Sequence, residues 1–401
     1  MHIGFVTRFK PANLKACLNA ADQPGTDRLK GRNNTVLINL IPSLLARGHR
    51  ISVFAAEPET AESLRFSGDR LTVRVVPCRV MAAQPALRGY RRERAALVQV
   101  IREEKPDLLH AHWLHDGHAA AALDSGLPTL IMEHGALLTS LRDNGLLGPR
   151  HILDSLARMH MTWTVCRRSR HMSAVSPYTA EHLRRYFRYT RPIHIIPTPF
   201  PFETWRSWKT ETRRPYDPAR PVFADIARWG RLKNTTTLLQ SFARVRRVIP
   251  GARLILFGGG LGSAGPAGRW AKRQGLEGGV TFQSPLPYED LMRKLAGDCD
   301  CLVHLSRIET FCNVVCEALA FDVPVIAGRV GGIPWAVDPV PVTFLRDVTD
   351  PEEAATAMIR QARDPAMGQP RGWAAQLERR YAPERIAELV EGIYTQVLAR
   401  P

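Results

Sequence analysis

Short apolar runs recur along this 401-residue chain, each followed by a longer amphipathic stretch. In the first half they read HIGFV, ISVFAA, LTVRVV, DLLHAH and PTLIMEH; in the second, VFADIA, RLILFGG, VTFQS, DCLVHLS and VPVIAG. A run that is apolar on both strand faces predicts a strand covered on both sides, as in a parallel sheet flanked by helices. Segments such as TVLINLIPSLLARGH and TTTLLQSFARVRRVIPGA supply the helices, the first ending at RGH as helix C-termini do. Two such series predict an α/β architecture of two doubly wound domains, in keeping with a length too great for one core. The boundary falls in the proline-rich, polar stretch 197–221, so the expected layout is a domain over 1–198, a linker over 199–220 and a domain over 221–380. An amphipathic helix follows in 381–401. Doubly wound domains bind ligands outside the carboxyl ends of their strands. The chemistry is therefore expected in loops after strands, lining a cleft between the domains.

Charge narrows the partners. The net charge is +17, and residues 1–200 hold 28 Lys and Arg against 16 Asp and Glu, the rest 27 against 22. Arginines cluster at Arg88, Arg91, Arg92 and Arg94, at Arg167, Arg168 and Arg170, and at Arg184, Arg185, Arg188 and Arg191. Arginine grips phosphate bidentately. The excess thus suits an anionic membrane surface or a phosphorylated substrate, with a merely solvated basic face as the plain alternative. No nucleic-acid-binding module or aromatic–basic sheet motif is present, so nucleic acid is set aside. The opening MHIGFVTRFK reads as a buried strand rather than a signal peptide. No stretch approaches the ~20 apolar residues of a spanning helix. Seven cysteines, odd in number and without paired metal-site spacing, read as reduced thiols of a cytoplasmic protein.

The stretch SRIETFCNVVCEALA (306–320) carries two glutamates eight positions apart. On one helix they would stand ~12 Å apart, beyond the roughly 5–9.5 Å of a carboxylate pair acting on one bond. Glu309 is therefore expected in the loop after the strand CLVHLS, and Glu317 on the following helix. There they would accept hydrogen bonds from two parts of one hydroxyl-rich ligand. This region resembles the retaining glycosyltransferases of family 4, which have the GT-B fold of two Rossmann-like domains facing across a deep cleft. The resemblance rests on Ser306, Glu309, Phe311, Glu317 to Ala320, Pro324 to Ala327 and Gly331-Gly332, and on ARWGRLKN (227–234). It implies that Glu309 meets the donor sugar and Glu317 the nucleotide ribose. Backbone N–H groups of Phe311, Cys312 and Asn313 would face sugar and phosphate at a helix N-terminus. Arg228 and Lys233 would clamp the diphosphate and offset the charge growing on the leaving group, with no metal and no cofactor. Cys312 stands where the family usually has glycine.

The N-terminal half is similar to the same family mainly in spacing. KGRNNTVLINLIPSLLARGHRISVF places Gly31 at the first glycine of the family's loop and Arg32 at the second, where Arg32 would contact phosphate directly. PTLIMEHGALL places His134 at the family's active-site histidine, beside the transferring sugar. The last helix resembles the one that crosses back to the first domain. Gly258 and Gly259 open a loop that is expected to line the nucleotide end of the cleft. Its G-x-G-x-x-G at Gly260 to Gly265 lacks the acidic residue of a dinucleotide site at the end of the next strand. Asp298-x-Asp300 reads as an ordinary pre-strand position rather than a metal motif. His110, His112, His115 and His118 read as packing and cleft-lining groups, and Cys312 and Cys316 as unreactive. The expectation is a metal-independent retaining transfer of a hexose-type sugar from a nucleotide-diphosphate donor to an acceptor hydroxyl. The acceptor is expected to be a lipid-linked or cell-envelope saccharide at the inner membrane face; the alternative is a small soluble acceptor. A sugar-nucleotide epimerase and a non-catalytic sugar-nucleotide-binding protein are the remaining rivals.

Overall fold

Parallel pairing runs through both sheets of the computed structural model, which describes residues 1–29, 34–57, 60–78, 90–135, 149–208 and 213–400. The chain divides into two units. One holds Met1–Phe200 together with Tyr381–Pro401, the other Pro201–Arg380.

Among the described residues, the first unit is built on eight strands: β1 (His2–Val6), β2 (Arg50–Glu57), β3 (Leu64–Ser67), β4 (Leu71–Pro77), β5 (Leu108–His112), β6 (Thr129–Glu133), β7 (His171–Ala174) and β8 (Ile193–Ile195). Their order is β3-β4-β2-β1-β5-β6-β7-β8. All pairs are parallel except β3 with β4. The central strands β1, β5 and β6 are buried almost throughout, because helices cover both faces. The order turns at β1, where Ile3 pairs with Ile51 on one side and Leu108 on the other. The helix Thr35–Ala46 begins there, capped by the Asn34 side chain, which accepts a hydrogen bond from the Leu37 amide.

The final helix, Pro383–Ala399, completes this unit. Its Tyr394 is fully buried and meets His110 Nδ1 at 2.8 Å through the hydroxyl. At its exposed side Glu391 takes both Arg47 nitrogens, at 2.7 and 2.6 Å, and His49 at 2.6 Å. Those bonds, Arg47 first, hold the Glu391 carboxyl down to about 2.

The second unit is a six-stranded, wholly parallel sheet: β9 (Val222–Ile226), β10 (Arg253–Phe257), β11 (Val280–Gln283), β12 (Cys301–His304), β13 (Val325–Gly328) and β14 (Thr343–Leu345). The order is β11-β10-β9-β12-β13-β14, so the direction of winding reverses beside β9. The segment expected as a linker is partly helical: Phe202–Trp208 belongs to this unit and buries Trp205 against Phe321, ring centroids 5.8 Å apart. Asp300 is structural. It accepts a hydrogen bond from the Val222 amide at 2.7 Å and pairs with Arg214. Among the described residues, no helix is long and apolar enough to cross a membrane.

His110 Nε2 is buried and makes no hydrogen bond among the described residues, so the Tyr394 hydroxyl is this ring's one polar partner. Y394F strands a buried imidazole nitrogen, and we expect it to destabilise the first unit by about 1–3 kcal/mol, read as a lowered urea midpoint.

Candidate active site

In the second unit the polar groups gather where the strand order reverses. β9 and β12 lie side by side there, and their C-terminal loops carry Lys233 and Glu309. The loops are tied by backbone. The Arg307 amide donates to the Leu232 carbonyl at 2.8 Å, and the Ser306 hydroxyl donates to Leu232 and Ile308 carbonyls at 3.2 and 3.0 Å. Asn234 turns the chain through a left-handed conformation (φ 56°) and anchors to the Val348 carbonyl at 2.7 Å. Gly331 supports Glu309 from below. Its φ is +55°, and a Cβ there would fall 1.8 Å from the Glu309 carbonyl oxygen, so only glycine fits.

These ties align a chain of four ionisable groups. The Lys233 ammonium pairs with Glu309 Oε1. His304 Nε2 meets the same oxygen at 2.9 Å, and His304 Nδ1 meets Asp225 Oδ1 at 3.0 Å. Burial alone would strip the His304 proton, but the Cys312 sulfur and the Asp225 and Glu309 carboxylates around the ring raise its pKa. Burial likewise pushes the Glu309 carboxyl up, and His304 and Lys233 more than offset it, holding it at about 2. The Lys233 ammonium is stabilised too, Glu309 outweighing burial.

Arg228 is exposed, in the same β9 loop. Gly258 and Gly259 follow the neighbouring β10: the Trp229 amide donates to the Gly259 carbonyl at 2.8 Å, and a Cβ on Gly259 would sit 3.6 Å from Arg228 Cγ. Gly258 has φ +132°, and a Cβ there would meet the Ala227 carbonyl oxygen at 2.0 Å. The helix Asn313–Ala320 starts after Cys312, itself left-handed at φ 77°. Phe311 is buried against Trp335, centroids 6.0 Å apart, and Asn313 is half-buried at the helix start. Glu317 is on this helix, as expected from its spacing. It accepts a hydrogen bond from the Tyr288 hydroxyl at 2.8 Å, and burial raises its carboxyl to about 7 against the pull of that bond.

The first unit has its own cluster at β1 and β5, again where the order turns. Asn34 donates to Thr7 Oγ1 at 3.4 Å and to His112 Nδ1 at 3.3 Å, and His134 Nε2 lies 2.7 Å from the same His112 nitrogen. With Nδ1 of His112 accepting from Asn34, His134 acts as donor. Burial lowers the pKa of His110 and His134 to about 3 and that of His112 well below its usual value, so these rings are neutral. His118 is held by Asp116 at 3.0 Å. Gly31, Arg32 and Arg88 lie outside the described residues. Sequence reasoning missed Asp225, His304 and Asn34 as site groups. The first two sit at the ends of apolar strands, where nothing in the pattern marks them.

A structural neighbour sharing this architecture is sucrose-phosphate synthase from Thermosynechococcus elongatus, with a TM-score of 0.76, 18% identity and 100% of both chains covered. The fold is GT-B. Residues 34–203 match the pattern of Glycosyltransferase Family 4 and residues 220–364 that of Glycosyl transferases group 1, so the chain belongs to the family 4 type. A D-inositol 3-phosphate glycosyltransferase from Segniliparus rotundus is 28% identical over 272 residues, 65% of this chain and 60% of that protein. The match therefore spans about three fifths of that relative's length. An N-acetyl-alpha-D-glucosaminyl L-malate synthase from Bacillus anthracis is 25% identical over 312 residues, 75% of this chain and 78% of that protein.

The folded pKa of Glu309, about 2, lies below its unfolded value near 4.5. Its stabilising contribution is then complete above pH ~4.5 and lost as pH falls through about 2. Acid titration followed by circular dichroism should show this loss in the wild type, and a shallower slope over that window in E309Q.

Proposed function

We propose that the protein transfers a hexose-type sugar from a nucleotide-diphosphate donor to an acceptor hydroxyl, with retention of configuration and without a metal or cofactor. The observation that carries this reading is the Lys233–Glu309 pair at the junction of β9 and β12, with Arg228 on the same loop. Cations fixed at strand ends suit a leaving diphosphate, because they need no rearrangement when charge develops. Glu309, ionised and held through one oxygen by Lys233 and His304, can accept hydrogen bonds from sugar hydroxyls. Glu317 would accept from a ribose diol, replacing its bond to Tyr288. Phe311, Cys312, Asn313, Gly258 and Gly259 would line the donor, and His134, a neutral imidazole, would meet the transferring sugar as a hydrogen-bonding group. In this mechanism no protein carboxylate acts as nucleophile; the acceptor attacks from the leaving-group face and a donor phosphate oxygen takes its proton.

The relatives favour a small anionic acceptor, since their names specify inositol phosphate and malate. The basic first unit suits the same charge. The lipid-linked saccharide stands as the second reading on a separate observation. The helix Pro149–Arg168 exposes Ile152, Leu153, Leu156 and Trp163 at helical spacing, with Arg167 4.5 Å over the Trp163 ring. Such an aromatic, apolar and cationic face suits an anionic bilayer surface. Other cluster arginines have structural partners: Arg94 and Arg168 both pair with Asp124, and Arg191 donates to the Ser169 carbonyl.

R228A and K233A should each lower kcat by about 10²–10³, measured by mass spectrometry of glycosylated inositol phosphate or malate with a panel of sugar nucleotides. EDTA should leave the wild-type rate intact; loss of activity in EDTA, or a near-wild-type rate in both variants, rejects the mechanism. Flotation with phosphatidylserine vesicles decides between acceptors. Binding at low salt that W163A abolishes supports the membrane reading, and its absence leaves the small acceptor.

A further inference from the structure

His304, Glu309 and Cys312 each offer one donor atom, an imidazole nitrogen, a carboxylate oxygen and a thiol sulfur, and these atoms all lie within 4.8 Å of one another. We propose that these three side chains form a binding site for a soft divalent cation of the Zn²⁺ class, and that occupancy takes Glu309 away from the sugar. The metal site stands on its own geometry; only its effect on transfer rests on the function proposed above.

The donor set is the first argument. Imidazole, thiolate and carboxylate together suit zinc, whereas magnesium and calcium take oxygen ligands. Zinc bonds of about 2.0–2.3 Å in a tetrahedron put ligand atoms roughly 3.3–3.8 Å apart. The His304–Glu309 pair at 2.9 Å and the 4.8 Å limit on the group bracket that range.

The surroundings are the second. His304 uses its other nitrogen to hold Asp225 at 3.0 Å, and both side chains are 1% exposed, so the ring cannot turn away. A carboxylate behind a histidine is the usual outer partner of a metal-bound imidazole. Among the described residues, Asp225 Oδ2 is buried with no hydrogen-bond partner. Cys312 reaches the cluster from a left-handed backbone position at the start of the helix. Cys316, one turn later, points elsewhere, toward the Ala336 carbonyl at 3.8 Å.

Lys233 opposes the ion, because its ammonium occupies the same Glu309 oxygen. Its side chain is 32% exposed, so it can swing into water when a cation arrives. That displacement and the release of the thiol and imidazolium protons weaken the site relative to a structural zinc centre. Three protein ligands leave a fourth position for water.

Co²⁺ titration of the full chain, reduced and free of other metals, reads the site directly. The expected result is one equivalent bound with a thiolate-to-cobalt charge-transfer band, displaced by Zn²⁺. The band should vanish in C312S and in C312G, remain in C316S, and require about 10–100-fold more metal in D225N. C312G places glycine at a positive φ, where it is at ease, so it guards against a folding defect in C312S. No band in the wild type, or a band that survives both Cys312 substitutions, overturns the proposal. Transfer should fall with added Zn²⁺ and return with EDTA. A band without inhibition upholds the metal site and removes Glu309 from the sugar.

Discussion

The second unit lays down β9, β10 and β11 toward one edge, then crosses back to begin again on the other side of β9. That crossing sets the carboxyl ends of β9 and β12 next to each other and opens the crevice in which doubly wound domains hold ligands. The four groups of the linked chain reach it from one of these two strands or its loop: Asp225 and Lys233 from β9, His304 and Glu309 from β12. Alternating in sign, the four groups compensate one another where single buried charges would be costly. The hydrogen bonds from the Ser306 hydroxyl and the Arg307 amide to the Leu232 carbonyl keep the loops in register, so strand order, loop shape and charge pairing depend on one another.

The first unit meets the same topological constraint with different chemistry. At β1 and β5 the buried groups are an asparagine, a threonine and neutral imidazoles rather than ion pairs. Burial keeps protons off His112 and His134, so this cluster offers directed hydrogen bonds without net charge. The second unit offers fixed charge.

Much of this was legible in the sequence. The long apolar strands could be read because parallel strands buried on both faces leave no alternation to confuse them. Short strands such as β7 and β8 escaped because HMSA and IHI are too brief and too polar to stand out. Glu309 and Glu317 were separable by distance alone, one in a loop and one on a helix. Lys233 was found through motif spacing. Asp225 and His304 were hidden: each is one polar residue in a strand that is otherwise apolar, and their pairing across β9 and β12 exists only after the strands are side by side. The 199–220 segment read as a linker because its prolines mask the apolar Phe202 and Trp205 that bury in the second unit.

The last helix belongs to the first unit although the whole second unit precedes it in the chain. Its Tyr394 fills the space beside His110, and Glu391 clasps Arg47 and His49. As the chain leaves the ribosome, the first sheet can form early, but one wall of it is made only after the whole second unit. The second unit, continuous in sequence, can finish folding while the first still waits for its closing segment. Until that helix emerges, the part of the first sheet it covers stays open to aberrant contacts.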